Sequence, residues 1–150
     1  MRFFKKISEY APGIPSRDKI TAYPTVTDRS TPFMVPAVLH KHDALRAGLH
    51  YDLRLVNPES GVAHSWAIRK GLPDPGAIHL AIQQPDHTEK YLDFEGTIPE
   101  GYGAGEVVKD IRGEANIIYA DDSKIKFELD NRSFVLINTD GTKWIIRGLS

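Results

Sequence analysis

The chain has no cysteine. Disulfide staples and thiolate metal ligands are therefore excluded, and nothing points to an oxidising compartment. No apolar run comes near the roughly 20 residues that a membrane-spanning helix needs. The basic start, Met1-Arg2-Phe3-Phe4-Lys5-Lys6, is not followed by an apolar stretch of signal-peptide length. A soluble, cytoplasmic protein with no membrane partner is expected. Charge of one sign is missing too: 19 Lys and Arg stand against 20 Asp and Glu, for a net charge of −1. No overall basic field marks a nucleic-acid partner, although a basic groove can exist on a neutral protein. Internal repeats and low-complexity segments are absent, and helical periodicity is nearly so.

What is present has the texture of β-structure. At 150 residues the chain suits one domain, burying roughly 68–70% of its unfolded surface. Pro12, Gly13, Pro15, Pro24 and Pro32 break any long periodic element early on, so residues 1–32 read as an irregular arm packed over the rest of the domain. Strands are expected over Phe33–His42, His50–Val56, His64–Lys70 and His79–Gln84, with Pro36 marking an edge or a bulge. Asp43–Leu49 reads as a turn, Asn57–Gly61 as a stronger one. Pro85–Gly105 reads mostly as loop. Short strands come next at Glu106–Asp110, Glu114–Tyr119, Lys124–Leu129, Ser133–Asn138 and Lys143–Arg147. They are separated by Arg112-Gly113, Asp121-Asp122, Asp130-Asn131 and Asp140-Gly141. Many short strands at close spacing predict an all-β fold, a compact antiparallel barrel of about eight strands over residues 33–150.

The stretch His50-Tyr51-Asp52-Leu53-Arg54-Leu55 carries most of the chemistry. Alternate side chains of a strand point to opposite faces. His50, Asp52 and Arg54 therefore share one face, while Tyr51, Leu53 and Leu55 face a core. An imidazole, a carboxylate and a guanidinium side by side could hold a divalent metal and a phosphate. All six histidines fall between His40 and His87, with His42 just upstream of this strand.

These residues resemble a known family, the 3′-phosphoesterase domain of bacterial DNA ligase D and its stand-alone relatives. The resemblance rests on His42-Asp43-Ala44, His50-Tyr51-Asp52-Leu53-Arg54, Ser65-Trp66-Ala67, Lys70-Gly71, Asp86-His87, Tyr91, Asp93-Phe94-Glu95-Gly96, Ile98-Pro99-Glu100-Gly101, Tyr102-Gly103-Ala104-Gly105 and Trp144-Ile145-Ile146. They run in the family's order over about residues 33–147. The resemblance implies a β-barrel enzyme that depends on manganese, with Zn²⁺ or Co²⁺ as other candidates. The reaction implied is removal of a 3′-terminal ribonucleotide and a 3′-phosphate from DNA ends in break repair by non-homologous end joining, leaving a 3′-hydroxyl for a separate ligase or polymerase. It assigns His42, His50 and Asp52 to the metal. Arg54 and His87 would hold the reacting phosphate beside Tyr91, and Lys70 would support activity.

The chain departs from the family in three places. The step from His42 to His50 is eight residues instead of six, an insertion that falls in a turn, where added length costs little. His79 stands where an arginine is common, as a weaker phosphate contact with pH-dependent charge. Pro85 replaces an acidic residue two positions before His87. Several bland roles are also expected. His40 flanks the site, His64 lies near a turn, and Trp66 and Trp144 are core. The acidic residues from Asp86 to Glu106 are solvated, or else orient the metal histidines. Two other functions compete: a non-catalytic relative that binds DNA ends, and an Fe²⁺ oxygenase built on His50, Asp52 and His87.

Overall fold

The computed structural model describes residues 23–27 and 33–150. Among the described residues nine antiparallel strands succeed one another: β1 Met34–Ala44, β2 Gly48–Val56, β3 Val62–Ile68, β4 Ile78–Thr88, β5 Gly96–Ile98, β6 Gly105–Ala120, β7 Lys124–Leu129, β8 Arg132–Asp140 and β9 Lys143–Leu149. A 3-10 turn over Glu89–Asp93 is the one helical piece among the described residues. Pairing runs β1-β2-β3-β4-β9-β8-β7-β6, and β6 returns to β1. Eight strands thus close into a barrel in which each barrel strand has a neighbour on both sides. Strand β5 is extra, clipped onto the start of β6 through Gly96 opposite Val107. The all-β antiparallel barrel expected from the sequence is the fold observed.

Local chemistry explains most of the chain reversals. Asp130 and Asn131, both with positive φ, make the two-residue β7–β8 turn, a conformation these residue types tolerate better than others. Asn57 accepts the Glu59 and Ser60 amides through Oδ1, which tightens the β2–β3 turn. Pro36 pairs with Glu114 of β6 but precedes the first β1–β2 pair, Ala37 opposite Leu55. Its missing N–H therefore costs no rung of that ladder. Gly105 sits at φ +146 against β1, and a Cβ there would lie 2.1 Å from the Asp43 carbonyl oxygen. No side chain fits.

Three expectations need correction. The reversal between β1 and β2 is confined to residues 45–47, since both strands run longer than read from sequence. Pro85–Gly105 is not mostly loop: β4 continues through His87, and the 3-10 turn and β5 come after it. Glu106–Asp110 and Glu114–Tyr119 are one strand, because Gly113 stays in register opposite Ala37 and does not turn the chain. Of the arm expected over residues 1–32, residues 23–27 are described and the rest lies outside the described residues. Tyr23 is buried, its hydroxyl donating to the Val56 carbonyl at 3.0 Å, and Val26 bridges Ala120.

The barrel interior takes one face of each strand. Leu39, Leu53, Leu55, Trp66, Ile68, Phe127, Phe134, Leu136, Trp144 and Ile146 fill it, with Trp66 edge-on to Trp144 at 5.6 Å. The opposite face of β1 and β2, at Val38, His40, His42, Asp52 and Arg54, is buried as well. A second small cluster packs Tyr91, Phe94 and Ile98, from the excursion that leaves the barrel after β4, against Val107 of β6. Polar residues on that outer face are thus held out of bulk water.

Candidate functional site

Register builds the site. In the β1–β2 hairpin, His42 lies opposite His50 and His40 opposite Asp52. Directly opposed residues in an antiparallel pair project to the same face. Arg54 is two residues beyond Asp52 and shares that face. On the next strand Ser65 stands opposite Arg54.

His42 Nδ1 is 3.3 Å and His50 Nε2 is 3.4 Å from Asp52 Oδ2. The three potential ligand atoms lie within 4.8 Å of one another. The other ring nitrogens face backbone carbonyls: His42 Nε2 donates to Gly103 O at 2.8 Å, and His50 Nδ1 to Gly48 O at 3.1 Å. A carbonyl can only accept, so those nitrogens carry the protons. In the neutral rings the inward nitrogens then present lone pairs toward a carboxylate. Two lone pairs and an anion converging on one point repel each other unless a proton or a cation sits between them. Histidines oriented through their outer N–H are the usual arrangement around a bound metal.

The electrostatics agree. Burial alone would raise the Asp52 carboxyl, but its close contacts with the His42 and His50 rings, with the Arg54 charge, hold it far below the usual carboxylate range. The same contact works on His50, whose pKa is raised chiefly by its hydrogen bond to Asp52. Without a cation, Asp52 draws a proton onto His50.

Arg54 is buried and held on several sides. Nε donates to His40 Nδ1 at 3.1 Å and Nη1 to Ser65 Oγ at 2.7 Å. Nη2 is 3.6 Å from Asp52 Oδ2, and the guanidinium lies 4.7 Å from the Tyr91 ring centroid. Because arginine cannot give up its proton, His40 must accept at Nδ1. Burial first, then the Arg54 charge, pushes His40 down to about 3, which keeps it neutral. Tyr91 stacks between His87 (4.2 Å) and Phe94 (5.2 Å), and its hydroxyl pKa is raised by burial.

His87 reaches the site through a β-bulge. Gln84 opposes Ser65 but His87 opposes Ala63, so Pro85 and Asp86 together face the single residue His64. The extra residue switches which side of β4 faces outward. Asp86 turns to the barrel interior, where it pairs with His64 Nδ1 at 3.0 Å, and His64 Nε2 meets Asn57 Nδ2 at 3.1 Å. His87 joins Arg54 and Tyr91 on the outside. Its Nδ1 is buried without a hydrogen-bond partner, which marks a group waiting for one. Burial and then Arg54 push it down to about 2.

A recess of about 340 Å³ is lined by His42, His50, Asp52, Arg54, His87 and Tyr91, among others. The structure therefore gathers six of the eight site residues expected from sequence. The other two, Lys70 and His79, line an adjoining groove, where His79 Nδ1 donates to the Gly71 carbonyl at 2.7 Å. Asp86 is occupied with His64, Asp93 with Arg112 and Glu95 with the Lys109 amide. Backbone carbonyls orient His42 and His50 in their place. Sequence reasoning missed two residues, His40 and Ser65, which grip Arg54. His40 had one available signal, its parity with His42; Ser65 had none without the β2–β3 register.

All of these residues fall within the stretch 40–143 that matches the family model for the DNA Ligase D 3′-phosphoesterase domain. The multifunctional non-homologous end joining protein LigD of Pseudomonas aeruginosa is 45% identical over 107 residues, covering 70% of this chain and 12% of the relative. The protein of that name from Mycolicibacterium smegmatis is 35% identical over 161 residues, 87% of this chain and 20% of the relative. The multifunctional non-homologous end joining DNA repair protein LigD of Mycobacterium tuberculosis is 42% identical over 108 residues, 63% of this chain and 14% of the relative. The chain spans a fifth or less of the length of these relatives. It belongs to the family of DNA ligase D 3′-phosphoesterase domains.

Proposed function

We propose that this chain is a metal-dependent phosphoesterase that heals DNA 3′ ends, removing a 3′-phosphate or a 3′-terminal ribonucleotide to leave a 3′-hydroxyl. The acting unit is the domain built on the barrel of residues 33–150, and a ligase or polymerase uses its product. The observation that carries the reading is the convergence of the His42, His50 and Asp52 donors, with both histidines tied to carbonyls through their outer nitrogens. Two imidazoles and one carboxylate fit Mn²⁺, and also Zn²⁺ or Co²⁺. Such a cation supplies Lewis-acid neutralisation of phosphate charge.

The protein groups supply the rest. Two of the five Arg54 N–H donors are spent on His40 and Ser65, which fixes the plane of the fork. The remainder serve Asp52 and a phosphate oxygen. His87 offers its ring as a partner for the phosphate or the leaving oxygen. An arriving phosphate dianion would raise its pKa and allow it to act as an acid. Tyr91 keeps its proton and holds the planes of His87 and Arg54. Lys70 and His79, one step removed, contact the substrate away from the bond that breaks.

The test is an end-labelled primer–template carrying a 3′-phosphate or a 3′-ribonucleotide, incubated with the chain and Mn²⁺. Conversion to the 3′-hydroxyl, lost in His42→Ala and Asp52→Ala, is expected. Folded protein that leaves both ends intact with every divalent cation overturns the reading. One observation favours a binding-only relative: His79, at a position where arginine is common in the family, has one nitrogen already committed to Gly71. Tight end binding without turnover would establish that alternative. The converging donors are His42, His50 and Asp52, while His87 stands apart against Tyr91, an arrangement that supports a phosphate-holding role for His87 over the third ligand of an Fe²⁺ oxygenase.

A further inference from the structure

The recess does not end at the triad. Ala47, His50, Gln84 and Tyr102 line both it and a second groove of about 550 Å³ on the outer face of β3 and β4. Charge in this groove is one-sided. Arg69 and Lys70 stand there with His50 and His79, and no carboxylate is among the lining residues. On a chain with more acids than bases that is a local choice. The groove beside β6 and β7, by contrast, carries Glu114, Glu128 and Asp130.

Half of the six exposed large apolar side chains among the described residues stand in the same place. Ile78, Leu80 and Tyr102 are 56%, 50% and 75% exposed, and all three line this groove. Arg69 is anchored there, donating through Nη2 to the Ala47 carbonyl at 3.1 Å across the β1–β2 turn. A cationic rail beside an aromatic and aliphatic floor suits a single nucleic-acid strand, with phosphates on the cations and bases against the apolar side chains. An acidic peptide would match the charge but has less use for the floor. A second copy of the chain would match the floor but leave the cations unpaired.

We propose that this groove holds the last nucleotides of the strand whose 3′ end enters the recess, with Arg69 against a phosphodiester and Tyr102 and Leu80 against base and sugar. The inference deepens the phosphoesterase reading and rests on it for the identity of the strand.

The experiment measures binding of the whole chain to a fluorescein-labelled primer–template with a 3′-hydroxyl, by anisotropy, in EDTA so that nothing turns over. Arg69→Ala is expected to weaken binding about fivefold or more and to lower the slope of log Kd against log salt by about one, as for one lost phosphate contact. Tyr102→Ala is expected to weaken it at least about fivefold with the slope unchanged, as for one lost stacking contact. Lys126→Ala, a cation on β7, should bind like the parent. Unaltered affinity in Arg69→Ala and Tyr102→Ala, equal weakening in Lys126→Ala, or no binding by the parent chain would each overturn the proposal. So would a dimer in sedimentation that Leu80→Asp dissociates. The two readings fail separately. Groove variants that lose affinity in a chain with no Mn²⁺-dependent turnover sink the phosphoesterase and keep the groove. Turnover with affinity and KM unchanged in those variants does the reverse.

Discussion

If His42, His50 and Asp52 share a cation, Mn²⁺ must stabilise the fold, and with a definite dependence on pH. A ligand at 100 times its Kd adds about 2.7 kcal/mol. For a chain of this length that raises Tm by roughly 5–10 °C, at about 2–4 °C per kcal/mol. The pH dependence comes from Asp52 and His50. The depressed Asp52 contributes stability above its unfolded pKa of about 3.9, and that contribution is lost as pH falls toward its folded value. The raised His50 contributes stability below its unfolded pKa of about 6.5, and that contribution is lost as pH rises through the folded value. The metal-free protein therefore weakens going up from pH ~6.5. The metal increment should grow over the same interval, by up to about 1.4 kcal/mol per pH unit, because the cation displaces the His50 proton. Scanning calorimetry of chelated and Mn²⁺-loaded protein at pH 5.5, 6.5 and 7.5 reads both trends. Asp52→Asn, nearly isosteric, should abolish the Mn²⁺ increment and flatten the metal-free slope. A Mn²⁺ increment that is the same at all three pH values, or that survives Asp52→Asn, would refute the shared site.

Arg54→Lys should lower kcat/KM by about 10²–10³, since one ammonium cannot reproduce the fork that His40 and Ser65 fix, and steady-state kinetics on the 3′-phosphate substrate will show it. Urea denaturation of the same variant should show a loss of about 2–4 kcal/mol, because His40 and Ser65 are left as buried groups without their donor. His87→Ala should cut turnover by at least about 10²-fold yet cost under about 1.5 kcal/mol of stability, since its buried Nδ1 has no protein partner to lose; a large drop in the urea midpoint would contradict this. Gly105→Ala should destabilise by about 3 kcal/mol or more, given a Cβ 2.1 Å from the Asp43 carbonyl oxygen, and a midpoint equal to the parent's would show that β1 and β6 can part there.

The legible parts of this molecule are those governed by period and by turn chemistry. Leu53 and Leu55 are in the core and Asp52 and Arg54 on the other face, as strict alternation along β2 requires. Asn57–Gly61 and Asp130–Asn131 turn where their side chains favour turning. Misreadings occur where tertiary pairing overrides a local signal. Gly113 looks like a break in sequence, yet β1 on one side keeps it extended. Pro85 argues against a strand, yet it falls where β4 bulges and gives up regular pairing anyway. Alternation counted through that bulge would place His87 on the wrong side. Its grouping with Arg54 came from family resemblance and not from period. Ser65 shows the limit most plainly: nothing near it in sequence indicates that a guanidinium eleven residues back will need its hydroxyl.

The eight-residue step between the two triad histidines gains meaning from the hairpin that carries it. His42 and His50 are a cross-strand pair, so two added residues lengthen each arm by one and leave the pair facing. Such a hairpin drifts in length by even steps at almost no chemical cost. A single inserted or deleted residue is another matter. Unless the reversal at 45–47 absorbs it, His50 and Asp52 roll into the barrel while Tyr51 and Leu53 roll out, and fold and chemistry are lost together.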